Sequence, residues 1–414
     1  MTATLNAPSA SSHPGANSTS VSLAERRRQA LDRKGALGYL KLSDTPPTRT
    51  FYVIAIIVTV FVSIGLVMVL SASSITSINR GGSAWTMFFR QLMWAMVGGA
   101  AAIATYRMPY HIWRSITLPT LIAAFALNLL PFTPLGVTIN GANAWVSMGP
   151  VNFQPSEFLK FALVVYSTNL LGRRQREITV ARRTFFPVVA VWGASAAVCM
   201  LQKDLGAAIV MSAIAVTVLF MSGAPLRWIF AASFATIVGG VSVIVSSASR
   251  RNRWLAFFDI EGNKEHTAYQ VYQSLLSIAN GGIAGVGPGE GTSKWGYVPL
   301  AHSDFIFTVI AEEFGLLGSS IIIVGFLVLA ACGFQVALRA RDRFGALLAA
   351  GITTWFVMQA CINIGGVIGI MPVTGLTLPL ISYGGSSLLI TLAAAGLLLN
   401  VARNMRQGAP TTRD

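Results

Sequence analysis

The chain has 414 residues, of which 54% are hydrophobic and only 11% are charged, and it carries a formal net charge of +15. A mean hydropathy of +0.63 excludes an ordinary water-soluble protein and indicates that a bilayer is the main solvent of the chain. In a membrane protein the excess of Lys and Arg is explained by cytoplasmic loops, so the charge gives no reason to expect nucleic-acid binding.

The first 50 residues differ in composition from the rest of the chain. They are rich in Ser, Ala, Pro and Thr, contain several Arg and Lys residues, and lack an apolar core. This composition predicts a disordered, basic cytoplasmic tail over residues 1–50, and it does not resemble a cleavable signal peptide. From Phe51 onward, apolar runs of about 20 residues, each long enough for a membrane-spanning helix, alternate with charged or Gly/Pro-rich breaks.

The apolar runs predict an all-α, polytopic membrane protein with ten transmembrane helices over residues 51–402. The predicted spans are 51–73, 87–105, 115–131, 156–172, 185–202, 205–222, 228–247, 304–332, 345–368 and 386–402. Most Lys and Arg residues then lie on the same side as the N-terminus, which predicts that both termini are cytoplasmic. Residues 403–414 form the predicted cytoplasmic C-terminal tail.

Two long segments are then expected to face outward, at 132–155 and at about 248–303. Connections of this length are more often functional than idle, so we expect the chemistry on the outer face. The second segment, a large extracytoplasmic loop between helices 7 and 8, begins with Arg250, Arg251 and Arg253. Either these charges bind an anionic ligand or lipid head group, or a long translocated loop is exempt from the positive-inside rule.

Two pairs of charged residues adjoin apolar runs, where a charge costs about 2.5–3.5 kcal/mol at the centre of a membrane helix. Glu157 and Lys160, in QPSEFLK, share one face of a helix start, where they form either a simple ion pair or part of a site. Lys203 and Asp204, in QKDLG, stand between two apolar runs, where a solvated interfacial turn is the simplest interpretation.

Three further features lie toward the C-terminus. HSDFIF places Asp304 at the start of a long apolar helix, either as a partner of the helix dipole or as a general base with a raised pKa. The spacing of Gly365 and Gly369 favours close helix packing within the ninth span. The stretch GLTLPLISYGGSS at 375–387 is too irregular for a plain helix and too apolar for a free loop, so it is expected to line a cavity.

Together, five ordered motifs resemble those of the SEDS family (shape, elongation, division and sporulation), whose members include FtsW and RodA. The motifs are NGANAWVSMGPVNFQPSEFLK at 140–160, QKDLG at 202–206, YQSLLSIANGGIAGVG at 272–287, KWGYVPLAHSDFIFTVIAEE at 294–313 and PVTGLTLPLISYGGSS at 372–387. The resemblance covers nearly the whole hydrophobic region. The phrase LTLPLISYGGSSLL and the long basic tail are more similar to FtsW, the division member, than to RodA, the elongation member.

The resemblance implies a peptidoglycan glycosyltransferase of the bacterial cytoplasmic membrane, acting in septal wall synthesis and cell division. It would transfer the growing glycan from undecaprenyl pyrophosphate to the 4-hydroxyl of the next lipid II on the outer face. The implied partners are a class B penicillin-binding protein (FtsI-like) and other divisome proteins, and the implied cofactor is a divalent cation, Mg²⁺ or Mn²⁺, with no organic cofactor. The alternatives are a RodA-like elongation polymerase, and a lipid II flippase or divisome scaffold without catalysis.

The resemblance also assigns site residues, with the essential aspartate of the family at Asp304. Pyrophosphate is a good leaving group, so the reaction mainly needs a base for the acceptor hydroxyl and cations for the pyrophosphate. The candidate substrate-binding residues are Glu157, Lys160, Lys203, Asp204, Lys294, Arg250, Arg251, Arg253, His302 and Ser386. The chain has Ala144, Lys203 and Leu300 where the family usually has Arg, Pro and Glu, and we expect Lys203 or the arginine cluster to compensate. No cluster of metal ligands is evident in the sequence.

Overall fold

The computed structural model describes residues 47–79, 81–139, 141–149, 151–246 and 248–405. These residues belong to one compact unit that is mostly helical, as predicted. The predicted N-terminal tail lies almost wholly outside the described residues, and so does most of the predicted C-terminal tail.

The helices follow the apolar runs of the sequence, because each run is long enough to satisfy its own backbone hydrogen bonds in a bilayer. In chain order they are α1 (Arg49–Asn79), α2 (Thr86–Arg107), α3 (Ile112–Ser115), α4 (Thr117–Leu129), α5 (Pro155–Arg173), α6 (Phe185–Leu201), α7 (Leu205–Met221), α8 (Leu226–Val245), α9 (Ala248–Phe258), α10 (Tyr269–Gly281), α11 (Ile306–Arg339), α12 (Arg343–Val367) and α13 (Gly385–Arg403). Within the described residues, six helices are long and apolar enough to cross a membrane, namely α1, α2, α8, α11, α12 and α13. The chain is therefore a multi-pass membrane protein.

A small antiparallel sheet follows α4, and the all-α prediction missed it. Its strands β1 (Gly136–Ile139), β2 (Ala142–Met148) and β3 (Val151–Phe153) pair in the order β1-β2-β3. Along β2, Ala144 and Val146 are buried, which is the two-residue period of a strand. The sheet has only short strands, and such short alternations are difficult to separate from loop sequence.

The predicted large loop at 248–303 contains regular structure. It holds α9, α10 and a short 3₁₀ turn at Ser293–Trp295. The glycine-rich stretch after α10 then packs against a break in α11 through main-chain hydrogen bonds.

α11 is interrupted at Gly315, whose φ of +64° and ψ of −158° are not helical. The freed main chain pairs with the loop after α10, because Leu316 N donates to Gly282 O at 2.9 Å. A Cβ atom at Gly315 would lie 2.4 Å from the nitrogen of Gly285. This close approach of two backbones requires glycine.

α12 ends in a Schellman motif, which corrects the expected packing role of the Gly365 and Gly369 spacing. Ile370 N donates to Gly365 O at 2.8 Å, and Gly369 N donates to Gly366 O at 3.4 Å. Gly369 lies beyond the helix with a φ of +72°, so it terminates α12 and does not lie within the span. Irregular backbone then continues to α13, as the composition of 375–387 predicts.

α13 is held to α2 along its length. Just before the start of α13, Gln91 Nε2 donates to Ser382 O at 3.1 Å. Thr105 Oγ1 donates to Ala393 O at 2.8 Å, and near the opposite end Asn400 Nδ2 donates to Met108 O at 2.6 Å. Since α12 and α13 are also the most buried of the long apolar helices, they form the centre of the bundle.

Candidate active site

Asp304 lies two residues before α11 and lines a small cavity. The cavity walls come from α12, through Ile362, Asn363 and Gly366, and from residues 373–376. The carboxylate lies close to the second wall, because a Cβ atom at Gly375 would be 3.7 Å from Asp304 Oδ2. The predicted cavity beside the irregular C-terminal segment is therefore present.

The main chain around Asp304 is fixed by hydrogen bonds from both walls. Asn363 Nδ2 donates to Asp304 O at 2.8 Å, and Ser382 Oγ donates to Ser303 O at 2.6 Å. Tyr383 N donates to His302 O at 3.0 Å, and the two rings meet edge to face at 5.6 Å. The backbone that carries the carboxylate is thus held in place before any substrate arrives, as a catalytic group requires.

Burial raises the pKa of the Asp304 carboxyl to about 7. A hydrogen bond with Ser303 lowers this pKa, and the nearby Asp204 carboxylate raises it further. A carboxyl group with a pKa near neutrality can take up and release a proton at working pH, which suits a general base. The role of Asp304 as a general base stays a prediction, and the raised pKa favours it over a role limited to the helix dipole.

Glu157 and Lys160 form the predicted ion pair at the start of α5, with 2.8 Å between Lys160 Nζ and Glu157 Oε1. Lys160 Nζ also donates to Gln359 Oε1 at 2.7 Å and lies 5.5 Å from the centre of the Trp355 ring. Gln359 Nε2 in turn donates to Thr377 O at 3.0 Å. Lys160 is fully buried, so in this structure it supports the cavity wall and does not present its charge to the cavity.

The Asp204 carboxylate is buried, so the interpretation as a solvated turn is wrong for this residue. Asp204 Oδ1 caps α7 by accepting a hydrogen bond from Ala207 N at 2.9 Å. Asp204 Oδ2 accepts from Gln154 Nε2 at 2.9 Å and from Ser156 Oγ at 3.1 Å. The carboxylate therefore joins the start of α7 to the start of α5, whereas Lys203 beside it is exposed.

Ser386 connects the start of α5, and through Gln154 also Asp204, to the end of the irregular segment at the start of α13. Its Oγ accepts a hydrogen bond from Gln154 N at 2.9 Å. The neighbouring Ser387 shares a hydrogen bond of 3.2 Å with Thr377 Oγ1. We refer to residues 372–387 as the hub segment, because its hydrogen bonds reach α2, α5, α12 and the Asp304 turn.

The sequence model of the FtsW, RodA and SpoVE family, described as a cell cycle protein, matches residues 51–407. The chain belongs to this family, the SEDS family. A probable peptidoglycan glycosyltransferase FtsW from Geobacter metallireducens is 38% identical over 371 residues, which cover 89% of this chain and 99% of the relative. The stage V sporulation protein E of Bacillus subtilis is 34% identical over 363 residues, which cover 87% and 99%.

Two solved structures share the SEDS fold with this chain. One belongs to a study of the structural coordination of polymerization and crosslinking by a peptidoglycan synthase complex, with a TM-score of 0.69 and 29% identity over 86% of this chain and 98% of the other. The other is the rod shape determining protein RodA of Thermus thermophilus, with a TM-score of 0.63 and 28% identity over 86% and 97%. The predicted family is confirmed.

Other candidate residues of this SEDS protein lie in the segment before Asp304. Lys294 Nζ donates to Gly289 O and lies 3.8 Å from Glu313 Oε1, which also accepts from Ser71 Oγ of α1 at 2.5 Å. These contacts attach the glycine-rich loop to α1 and α11. Lys294 is 9% exposed, so its charge is mostly enclosed, and its role in substrate binding stays a prediction.

The arginine cluster lies on α9. Arg251 is exposed, and the side chains of Arg250 and Arg253 are outside the described part of the structure. The walls of the Asp304 cavity come from other segments, so a role of this cluster in binding the SEDS substrate also stays a prediction.

Lys203 stands near the position where the SEDS family usually has Arg. Ala144 is buried on β2, and the adjacent Asn143 N donates to Gln202 O at 3.0 Å. This hydrogen bond holds the QKDLG turn against β2. Its two residues are the chain neighbours of Ala144 and Lys203. This arrangement supports compensation by Lys203, which an unchanged activity of Lys203→Ala would contradict.

Three amides of the site escaped the sequence analysis: Gln359 and Asn363, which are buried, and Gln154, which is half-buried. Gln359 and Asn363 are four residues apart in the apolar run of α12, so they lie on one face of the helix. Uncharged polar residues inside a membrane helix also indicate a functional site, although more weakly than charged residues do. The four-residue spacing of Gln359 and Asn363 could therefore have indicated the site from sequence. Gln154 gave no such signal, because its partners Asp204 and Ser386 are distant in sequence.

Proposed function

We propose that this chain is a peptidoglycan glycosyltransferase of the FtsW type, which polymerises lipid II during septal wall synthesis. The observation that carries the proposal is Asp304, a fixed carboxylate with a pKa of about 7 at a cavity. Relatives named as probable peptidoglycan glycosyltransferases support the same activity. A flippase or a scaffold without catalysis would need no base of this kind.

In the proposed reaction, the Asp304 carboxylate takes the proton of the 4-hydroxyl of lipid II as that oxygen attacks the anomeric carbon of the growing glycan. The bond from this carbon to undecaprenyl pyrophosphate breaks, and the pyrophosphate carries away the bonding electrons. Since the leaving group departs as a stable anion, one protein carboxylate is sufficient. Lys203, Lys294 and the arginine cluster are the proposed sources of positive charge for the pyrophosphate.

The described residues do not by themselves form a metal site, because they contain no group of three or more His, Cys, Asp or Glu side chains suited to hold a metal ion. Mg²⁺ commonly binds through one or two carboxylates together with substrate phosphates. We therefore propose that any Mg²⁺ or Mn²⁺ requirement depends on the pyrophosphate of the substrate. Tight metal binding to the protein without lipid II, measured by calorimetry, would contradict this.

We also propose ten membrane crossings, cytoplasmic termini and a location at the division septum. Each predicted span overlaps at least one helix of the structure, and this supports the topology. A class B penicillin-binding protein and other divisome proteins are the proposed partners. The likeness to a chain from a peptidoglycan synthase complex supports the first of these.

The decisive experiment is glycan synthesis from labelled lipid II by the purified protein with its penicillin-binding partner and Mg²⁺ or Mn²⁺. Wild type should form polymer, whereas a folded, partner-bound Asp304→Ala variant should form none. Glu265→Ala, which removes an exposed carboxylate of the same outer segment, is the matched control and should be active. Equal polymer from wild type and Asp304→Ala would move the base elsewhere, and no polymer from either would favour the flippase or scaffold.

A further inference from the structure

Asn363 uses only one of its two polar atoms within the described structure. Its Nδ2 donates to Asp304 O at 2.8 Å and to Leu376 O at 2.6 Å, which occupies both amide hydrogens. Carbonyl oxygens only accept hydrogen bonds, so these two contacts fix which side of the amide is nitrogen. Asn363 Oδ1 is buried and has no hydrogen-bond partner among the described residues.

The unpartnered oxygen belongs to a residue of the Asp304 cavity. Asn363 is only 5% exposed, yet it lines this cavity together with Asp304 and Gly375. Buried side-chain acceptors are nearly always hydrogen-bonded, because leaving one without a donor is costly. Asp304 and Leu376, the partners of the nitrogen, line the same cavity as Asn363, so the unpartnered oxygen belongs to a side chain already held at the cavity wall.

We propose that Asn363 Oδ1 accepts a hydrogen bond from a hydroxyl of the acceptor sugar next to the reacting hydroxyl, and that Asn363 thereby determines acceptor specificity. The proposal rests on the proposed glycosyltransferase function. In a hexopyranose the 4-hydroxyl is flanked by the 3-hydroxyl and by the hydroxymethyl group at carbon 5, and either can donate. Because Asn363 also holds the main chain of Asp304, one side chain positions both the base and the acceptor.

The test compares lipid II with two analogues, one lacking the 3-hydroxyl and one lacking the 6-hydroxyl of the terminal sugar. kcat/KM is measured for wild type and for Asn363→Ala, each in complex with the penicillin-binding partner. The kcat/KM of wild type should fall at least tenfold with one of the analogues, because Asn363 Oδ1 is then left without a hydrogen-bond donor. Asn363→Ala should be slower overall but should use that analogue and lipid II equally, within about twofold.

Two variants control for damage to the fold. Thr353→Val removes a hydroxyl that bonds only within α12, to Ala349 O at 2.7 Å, and should discriminate between the substrates as wild type does. Asn363→Ser replaces the alanine variant if the latter does not accumulate as folded protein. A role of Asn363 limited to holding the main chain would lower activity without changing the ratio between substrates.

Three outcomes overturn the inference or its basis. If wild type uses both analogues as well as lipid II, no flanking hydroxyl contacts Asn363. If wild type and Asn363→Ala discriminate equally, the contact belongs to another residue. If wild type forms no polymer from lipid II itself, the glycosyltransferase function fails first, so the two failures are distinguishable.

Discussion

At the residue scale, Asp304 has two opposing requirements. Burial favours its neutral form, whereas a general base must be charged before it can accept a proton. A pKa of about 7 allows both forms to be populated near neutrality. Sequence alone left open whether Asp304 serves the helix dipole or acts as a base, because the burial that raises the pKa depends on α12 and the hub segment.

Polymerisation should increase as pH rises through about 7, because only the unprotonated Asp304 carboxylate can accept the hydroxyl proton. The measurement is kcat/KM for lipid II between about pH 5.5 and 9, with Glu265→Ala as a control of unchanged profile. A rate that is flat between pH 6 and 8 would separate Asp304 from the proton transfer.

Asp304→Asn should be inactive yet more stable than wild type at pH 8. Burial raises the pKa of Asp304 from its ordinary value of 3.8 to about 7, so the folded state binds more protons than the unfolded state between these values. The free energy of unfolding of wild type therefore falls as pH rises from 3.8 to about 7. Asp304→Asn lacks the titrating carboxyl group, so its stability does not fall in this way. Melting temperatures in detergent should differ at pH 8 and converge near pH 4; equal values at pH 8 would argue against a buried carboxylate.

Lys160→Met should destabilise the protein by about 3–5 kcal/mol, because it leaves the buried Glu157 carboxylate without its cation. The double variant Glu157→Gln with Lys160→Met removes both charges and should recover much of the loss. Unfolding free energies in detergent give the comparison. A double variant as unstable as Lys160→Met would show that the amide and ring contacts of Lys160 matter more than the charge pair.

At the element scale, the sequence predicted the helices well and their interruptions poorly. Long apolar runs locate the ends of α2 and α12 within a few residues, because in a bilayer such a run satisfies its backbone hydrogen bonds best as a helix. The break at Gly315 escaped detection, since its cause is a distant loop that contacts it. Gly369 was placed inside the helix because a four-residue glycine spacing does not distinguish packing from a helix end.

Gly315→Ala should destabilise the protein by at least about 1–3 kcal/mol, because a side chain is strained in this backbone conformation and would also meet Gly285. Gly239→Ala is the matched control, since it lies within α8 with nothing within 4 Å of the added Cβ atom. That variant should be neutral or slightly stabilising. Thermal unfolding compares the two, and equal melting temperatures would show that the break in α11 is dispensable.

At the scale of the whole molecule, the site joins segments that are far apart in sequence. Gln154 contacts Asp204 and Ser386, and Asn363 contacts Asp304. The motifs could be located from sequence, and the predicted topology placed most of them on one side of the membrane. The amide partners could not be assigned, because nothing local indicates which buried polar group satisfies which.

The proposed topology predicts that α9 faces outward and that the connection between α5 and α6 faces the cytoplasm. In a chain with its three free cysteines, Cys199, Cys332 and Cys361, replaced by Ala, Arg251→Cys should react with an impermeant maleimide in intact spheroplasts. Arg176→Cys should react only after permeabilisation. Labelling of Arg176→Cys from outside would overturn the ten-span arrangement.

The pairing of α2 with α13 has a consequence for biosynthesis. Gln91 is buried, and the carbonyl it bonds to belongs to a residue 291 positions later. At about 5–20 residues per second, a ribosome needs about 15–60 seconds to cover this distance. During that time α2 is in the membrane with a polar side chain that has not met its native partner. A nascent chain that stalls before α13 already contains Asp304 but lacks the helix that holds the hub segment, so its Gln91 side chain and its cavity wall lack their native partners.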